Sequence, residues 1–229
     1  MLRAKKKISK QDLKEDKLVT YMARTESWYF ENKKYVNYGI TALIAIAILV
    51  VIYVNNRNAD ADKASNELAK ISQYYETEQY EIAIKGVPEK NIMGLKQIVD
   101  KYGSSESGEC AKIFLANSYI ATGKTDEALK YFEDFAGSWD VMKSAACAGA
   151  ASCYESKKDL KKAAELYEKA GTKYSTVPLA ADYLMDAARL YAQLGDKDHA
   201  RNLYKKIKTD YSKSPAARDV ERFLAELSA

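Results

Sequence analysis

Residues 115–132 read LANSYIATGKTDEALKYF. Tyr119, Gly123, Ala128 and Phe132 follow one another there at intervals of four, five and four residues. The same series returns as Tyr154, Lys158, Ala163 and Tyr167, then as Tyr191, Gly195, Ala200 and Tyr204, shifted by 35 and by 37 residues. An aromatic near the end of one helix, a tight turn, a small residue and another aromatic one turn later describe a helical hairpin, because the small residue lets the second helix cross closely. Recurrence at such an offset means stacked supersecondary units, each covering the apolar face of the next.

Three apolar columns extend the register outward. Leu95, Phe132, Tyr167 and Tyr204 head them, Ile98, Phe135, Ala170 and Ile207 follow three residues on, and Tyr102, Trp139, Tyr174 and Tyr211 four residues further. Upstream, Ala61, Ala64, Leu68, Ile71 and Tyr75 trace one helical face until Gly86-Val87-Pro88-Glu89-Lys90-Asn91 interrupts it. This is a degenerate first unit. Pro215 to Leu227 fits a terminal helix that covers apolar surface with a polar outside. The expected fold is all-α, an α-solenoid of about four helical hairpins with a capping helix. Its boundaries are a degenerate repeat at 59–106, repeats at 107–140, 141–176 and 177–213, and a cap at 214–229.

A different pattern precedes the repeats. Between Lys34 and Arg57 lie 22 residues without a charge, and a helix of that length spans roughly 33 Å, enough to cross a bilayer core. Its centre, ITALIAIAILVVIYV, holds the ten aliphatic residues Ile40, Leu43, Ile44, Ile46, Ile48, Leu49, Val50, Val51, Ile52 and Val54. No polar face marks it as a buried core helix. A cleaved signal is the other alternative, with Ala59-Asp60-Ala61 as a faint cleavage site, but 34 residues precede the run and the run exceeds a signal core. Residues 35–56 are therefore expected to be a permanent single transmembrane helix in contact with lipid. Lysines 5, 6, 7, 10, 14, 17, 33 and 34 and Arg24 all precede it, which places arm 1–34 in the cytoplasm and domain 57–229 in the periplasm. Trp28, Tyr29, Phe30, Tyr35 and Tyr38 cluster at the near edge and Tyr53 at the far one, where amphipathic rings sit in a bilayer. Residues 9–34 also read as helical, with Ser9 as a cap.

Charge and composition narrow the function. Residues 1–56 carry 10 Lys+Arg against 5 Asp+Glu, so the remainder holds 26 against 27 and offers no basic surface for nucleic acid. Catalytic chemistry has little to work with. His199 is the one histidine, in a second helix of a hairpin and read as a surface residue, so neither a zinc-protease motif nor a multi-histidine metal site exists. Gly103-Ser104-Ser105-Glu106-Ser107-Gly108-Glu109 has the glycine spacing of a phosphate loop, but Glu109 stands where a lysine is needed. Cys110, Cys147 and Cys153 form no C-x-x-C pair, and the last two, six residues apart on one helix, lie roughly 9 Å apart, too far to bridge. No catalytic residue, metal, cofactor or small-molecule substrate is expected, and the binding candidates are groove positions on the first helices: Ile113, Asn117 and Ile120; Ser152 and Glu155; Met185 and Arg189.

The spacing resembles the tetratricopeptide repeat, with Leu115-Ala116, Ala150-Ala151 and Ala187-Ala188 at the large-small pair of its first helix. Domains of that kind that clamp a C-terminal carboxylate place a lysine one turn before the groove asparagine, where this chain has Ile113. The whole layout, a lysine-rich arm, one anchor, then ISQYYETEQYEIAIKG, GLKQIVDKYG and LANSYIATGKTDEALKYF, is similar to the membrane-anchored tetratricopeptide family that accompanies the bacterial Sec translocon, in its Bacteroidetes and Chlorobi form. The resemblance implies a non-enzymatic scaffold in the cytoplasmic membrane whose partners are proteins: translocon subunits, envelope chaperones or exported chains. A structural or adaptor subunit of an envelope-assembly or cell-division complex is the alternative.

Overall fold

The computed structural model describes residues 10–228, so the Ser9 cap lies outside the described residues. The chain divides into two compact units between Asn56 and Arg57. The first helix, α1, runs without a break over Lys10–Glu76, where the sequence suggested separate segments. The reason is plain in the composition: from 10 to 76 there is no proline and one glycine, Gly39. In the first unit the aliphatic residues from Ile40 to Val54 are all between 45% and 68% exposed, so that stretch is no core helix.

In the second unit, α2 (Tyr80–Lys85) is followed by a two-stranded antiparallel ribbon, β1 (Gly86–Val87) and β2 (Ile92–Met93), joined by a 3₁₀ turn. Next come α3 (Leu95–Tyr102), α4 (Glu106–Ala121), α5 (Thr125–Glu133), α6 (Asp140–Ser156), α7 (Leu160–Lys173), α8 (Ala180–Gln193), α9 (Lys197–Asp210) and α10 (Pro215–Ser228). From α3 onward each helix packs on the next, and α4 also touches α6 and α8 touches α10. This is the stacking of a helical-hairpin solenoid with a terminal cap. Ala128, Ala163 and Ala200 are completely buried, as expected of residues at close helix crossings.

Every hairpin is closed by the same backbone device. Lys124, Asp159 and Asp196 each donate their N–H to the carbonyl of the repeat tyrosine five residues back, Tyr119, Tyr154 and Tyr191, at 2.8 to 2.9 Å. The residue between is left-handed, with φ of 76° at Gly123, 66° at Lys158 and 86° at Gly195. The degenerate unit does the same, since Gln79 N–H reaches the Tyr74 carbonyl at 2.8 Å across Glu78 at φ 59°. Ala83, nine residues after Tyr74 and fully buried, takes the place of Ala128. In the later units the aromatic follows that alanine by four residues, but Leu95 follows Ala83 by twelve. The ribbon is therefore an eight-residue insertion into the second helix. Gly86 and Gly94 let the chain leave and return at one point: a Cβ on Gly94 would lie 2.4 Å from the Gly86 nitrogen.

The second hairpin departs from the third and fourth. α5 has 9 residues where α7 and α9 have 14, so Phe135 and Trp139 fall in a connection, and Trp139 is 53% exposed while Tyr174 in the same column is buried. The expected third column thus lacks one member. The released backbone is held by a buried ion pair on α4: Lys112 Nζ donates to the Asp134 carbonyl at 3.3 Å and its carboxylate at 2.8 Å, and Glu109 Oε2 accepts the Ala136 N–H at 2.9 Å. Lys112 and Glu109 themselves meet at 2.9 Å. Core packing falls into two main clusters that meet on α6, whose Ala146, Ala150 and Cys153 join the first and Ala148 and Ala151 the second.

Candidate protein-binding surface

Of the seven groove candidates, the structure brings two together across neighbouring hairpins. Arg189 on α8 pairs with Glu155 on α6 at 2.9 Å, and with Asp186 one turn back at 3.5 Å. Burial raises the Asp186 pKa, with the Arg189 charge pulling against it. Asn117 Nδ2 donates to the Tyr75 hydroxyl at 3.3 Å. Ser152 is half-buried, and nearby the Tyr167 hydroxyl is pushed up to about 12 by burial. Ile120 is 36% exposed. Met185 borders a shallow pocket with Asp182, Asp186, Pro215 and Asp219 between α8 and α10.

Ile113 corrects the sequence reading. It is only 6% exposed and belongs to the first core cluster, on a helix packed against α2, α3, α5 and α6. Spacing places it in a groove open to solvent, but that packing buries it.

Two polar clusters went unread in the sequence. Tyr154 O–H donates to Glu133 Oε1 at 2.7 Å, and Lys162 donates to the same Tyr154 oxygen. One hairpin later Tyr191 O–H donates to Glu168 Oε2 at 2.9 Å, and His199 Nε2 lies 3.0 Å from that oxygen. His199, with 40% of its side chain exposed, is a surface residue that also takes part in a clasp between hairpins. In both cases a carboxylate on the second helix of one unit holds the tyrosine of the next. The sequence signal was a glutamate 21 or 23 residues before the tyrosine. The stretch 103–109 holds a helix start: Ser105 Oγ accepts the Gly108 N–H at 3.1 Å and caps α4.

All three cysteines are free thiols, and burial raises each pKa, that of Cys153 to about 11. Among the described residues no group of three or more His, Cys, Asp and Glu side chains is arranged to hold a metal ion. Among the described residues the arrangement offers surfaces and inter-helix ties.

Comparison with known proteins agrees with this geometry. Two family models, each described as tetratricopeptide repeat, match residues 115–176 and 182–214. Among solved structures, the nearly identical TPR-like repeats of a Podosopora anserina kinesin light chain are similar. A point-substituted form of those repeats has 18% identity and a TM-score of 0.56, over 73% of this chain and 85% of that one. A second structure of the same repeats has 18% identity and a TM-score of 0.54, over 73% and 86%. At that identity the likeness is one of fold. No curated protein matches the chain. The hairpins α4–α5, α6–α7 and α8–α9 are therefore tetratricopeptide repeats.

Proposed function

We propose that the chain is a single-pass membrane protein that displays its repeats on the outer side of the cytoplasmic membrane, as a non-enzymatic scaffold for proteins at the Sec translocon. The observation that carries this reading is the uncharged apolar stretch of α1, whose aliphatic side chains from Ile40 to Val54 are all exposed. A helix with so much exposed aliphatic surface is at home in lipid and would be an aggregation hazard in water. Arm 1–34, anchor 35–56 and repeat domain 57–229 then have separate tasks. The arm's lysines set orientation, the anchor raises local concentration beside a membrane complex, and the repeats bind. The groove positions Ile120 and Arg189, which are exposed, and Asn117, Ser152, Glu155 and Met185, which are half-buried, are the proposed contact row, with polar groups fixing register around a few apolar anchors. The family resemblance supplies the partners: translocon subunits, envelope chaperones and exported chains.

Reporter fusions and crosslinking test this together. A reporter active only outside the cytoplasm should be active after Ala229 and silent after Lys7; the reverse would overturn the topology. Crosslinking in intact cells should recover translocon subunits, and Ile120→Asp with Arg189→Glu should abolish that recovery while the melting curve is kept. Recovery of division or envelope-assembly proteins instead would favour the adaptor reading.

A further inference from the structure

The hairpin of α6 and α7 is hollow where its neighbours are filled. When the repeats are aligned on Tyr119, Tyr154 and Tyr191, Ala146, Cys147 and Ala150 on α6 correspond to Ala111, Lys112 and Leu115 on α4. On α8 they correspond to Tyr183, Leu184 and Ala187. Each neighbour thus has at least one large side chain where α6 has only small ones. The space left between α5, α6 and α7 is a pocket of about 310 Å³. Phe132, Ala146, Ala150 and Tyr174 form its buried floor, and Phe135, Cys147 and Leu166 its half-buried walls. Phe135 serves as a wall because α5 stops at Glu133 and the connection carries the ring.

This pocket is not the groove of the first helices. On α6 the pocket residues 143, 146, 147 and 150 and the groove residues 152 and 155 are centred roughly 160° apart at 3.6 residues per turn. The pocket's rim is cationic: Lys143, which also reaches Asp140 at 3.5 Å, Lys162, which donates to Tyr154, and Lys169 stand against one lining carboxylate, Glu133, already engaged by Tyr154. That excess stands out in a unit whose charges otherwise nearly cancel, 26 against 27. Trp139, the exposed aromatic, sits one turn before Lys143, whose N–H donates to its carbonyl at 2.9 Å.

We propose that this pocket docks one large apolar side chain of a protein partner whose flanking residues are aspartate or glutamate. Its volume suits a single leucine, phenylalanine or tryptophan rather than an extended acyl chain. The rim charges are spread out: Lys162 and Lys169 are two turns apart on α7, roughly 10 Å along the axis, and Lys143 is on another helix. Separated ammonium groups match carboxylates on both sides of an anchor, whereas a phosphate head or a fatty-acid carboxylate needs donors that converge on one point. The apolar anchor supplies affinity and the rim supplies selectivity for acidic flanks.

The test uses the full chain in detergent and fluorescein-labelled peptides in which Leu, Phe or Trp is flanked on each side by Asp or Glu, read by anisotropy. At least one peptide should bind, and its counterpart with lysine flanks should not. Ala150→Leu, which gives α6 the residue α4 has at this place, should weaken binding about tenfold or more. Cys147→Leu, copying Leu184, is the second filling variant should the first not fold. Lys143→Glu with Lys169→Glu should weaken binding by a similar factor and flatten its salt dependence, with Lys162 left in its clasp with Tyr154. Binding unchanged in the filled and the charge-reversed chains would assign the peptide to the basic arm and overturn the proposal. So would the absence of any binding below about 1 mM, or saturable binding of laurate at the pocket in place of the peptides.

Discussion

Lys112 and Glu109 are 8% and 5% exposed, yet both charges are fully employed on the backbone that α5 releases. Losing one partner is costly, because the other stays buried and uncompensated. Lys112→Met should therefore destabilise the full chain by about 3 to 5 kcal/mol, and adding Glu109→Gln should restore part of the loss; thermal melts of both variants in detergent measure it. Burial works against the Lys112 charge, but its hydrogen bonds to Asp134 and Glu109 outweigh burial and raise its pKa above the ordinary 10.5. A cation with a raised pKa contributes stability that is complete below its unfolded value and fades as pH climbs through the folded one. The melting temperature of the native chain should thus fall more steeply above about pH 10.5 than that of Lys112→Met. None of this was legible from residues 103–109 alone, where Glu109 counted only as the wrong residue for a phosphate loop. The groups this pair holds, Asp134 through Lys112 and the Ala136 N–H through Glu109, are more than twenty residues away.

The hairpin turns show how far local spacing carries. Gly123 and Gly195 declare a left-handed position, and the repeat offset alone then identifies Lys158 as the matching residue. In the degenerate unit the same position is Glu78, and the inserted ribbon moves Leu95 out of step with Ala83, so the shared turn at Tyr74 was hidden. The length of α5 was hidden for another reason: it is set by the long-range capture of its end, and Trp139 was assigned to a buried column on periodicity alone. Likewise Ile113 has the spacing of a groove residue, but whether that position is open depends on what packs against its helix. A lysine at φ 66° carries a steric penalty that glycine lacks, on the order of 1 kcal/mol. Lys158→Gly should accordingly stabilise the chain by up to that amount and raise its melting temperature; an unchanged or lower value would mean that unfolded-state entropy outweighs the relief.

Across the molecule, charge and hydropathy separate what the repeats leave uniform. The excess of lysine and the uncharged run lie before Arg57, and the near-neutral remainder holds the hairpins, a contrast visible in composition. The two core clusters meeting on α6 were not, because a stretch of alanines gives no sign of which neighbour each one faces. Their consequence is for the way the solenoid comes apart. In a stack held by nearest neighbours, cooperativity is only as strong as the poorest interface, and a helix built of small residues transmits the least between the blocks on either side. Amide hydrogen exchange should then resolve two foldons, one ending and one beginning within α6, with the α8–α9–α10 block retaining protection at denaturant concentrations that have already released α3 to α5. A single exchange step spanning both blocks would mean that the alanine helix couples them as tightly as larger side chains would.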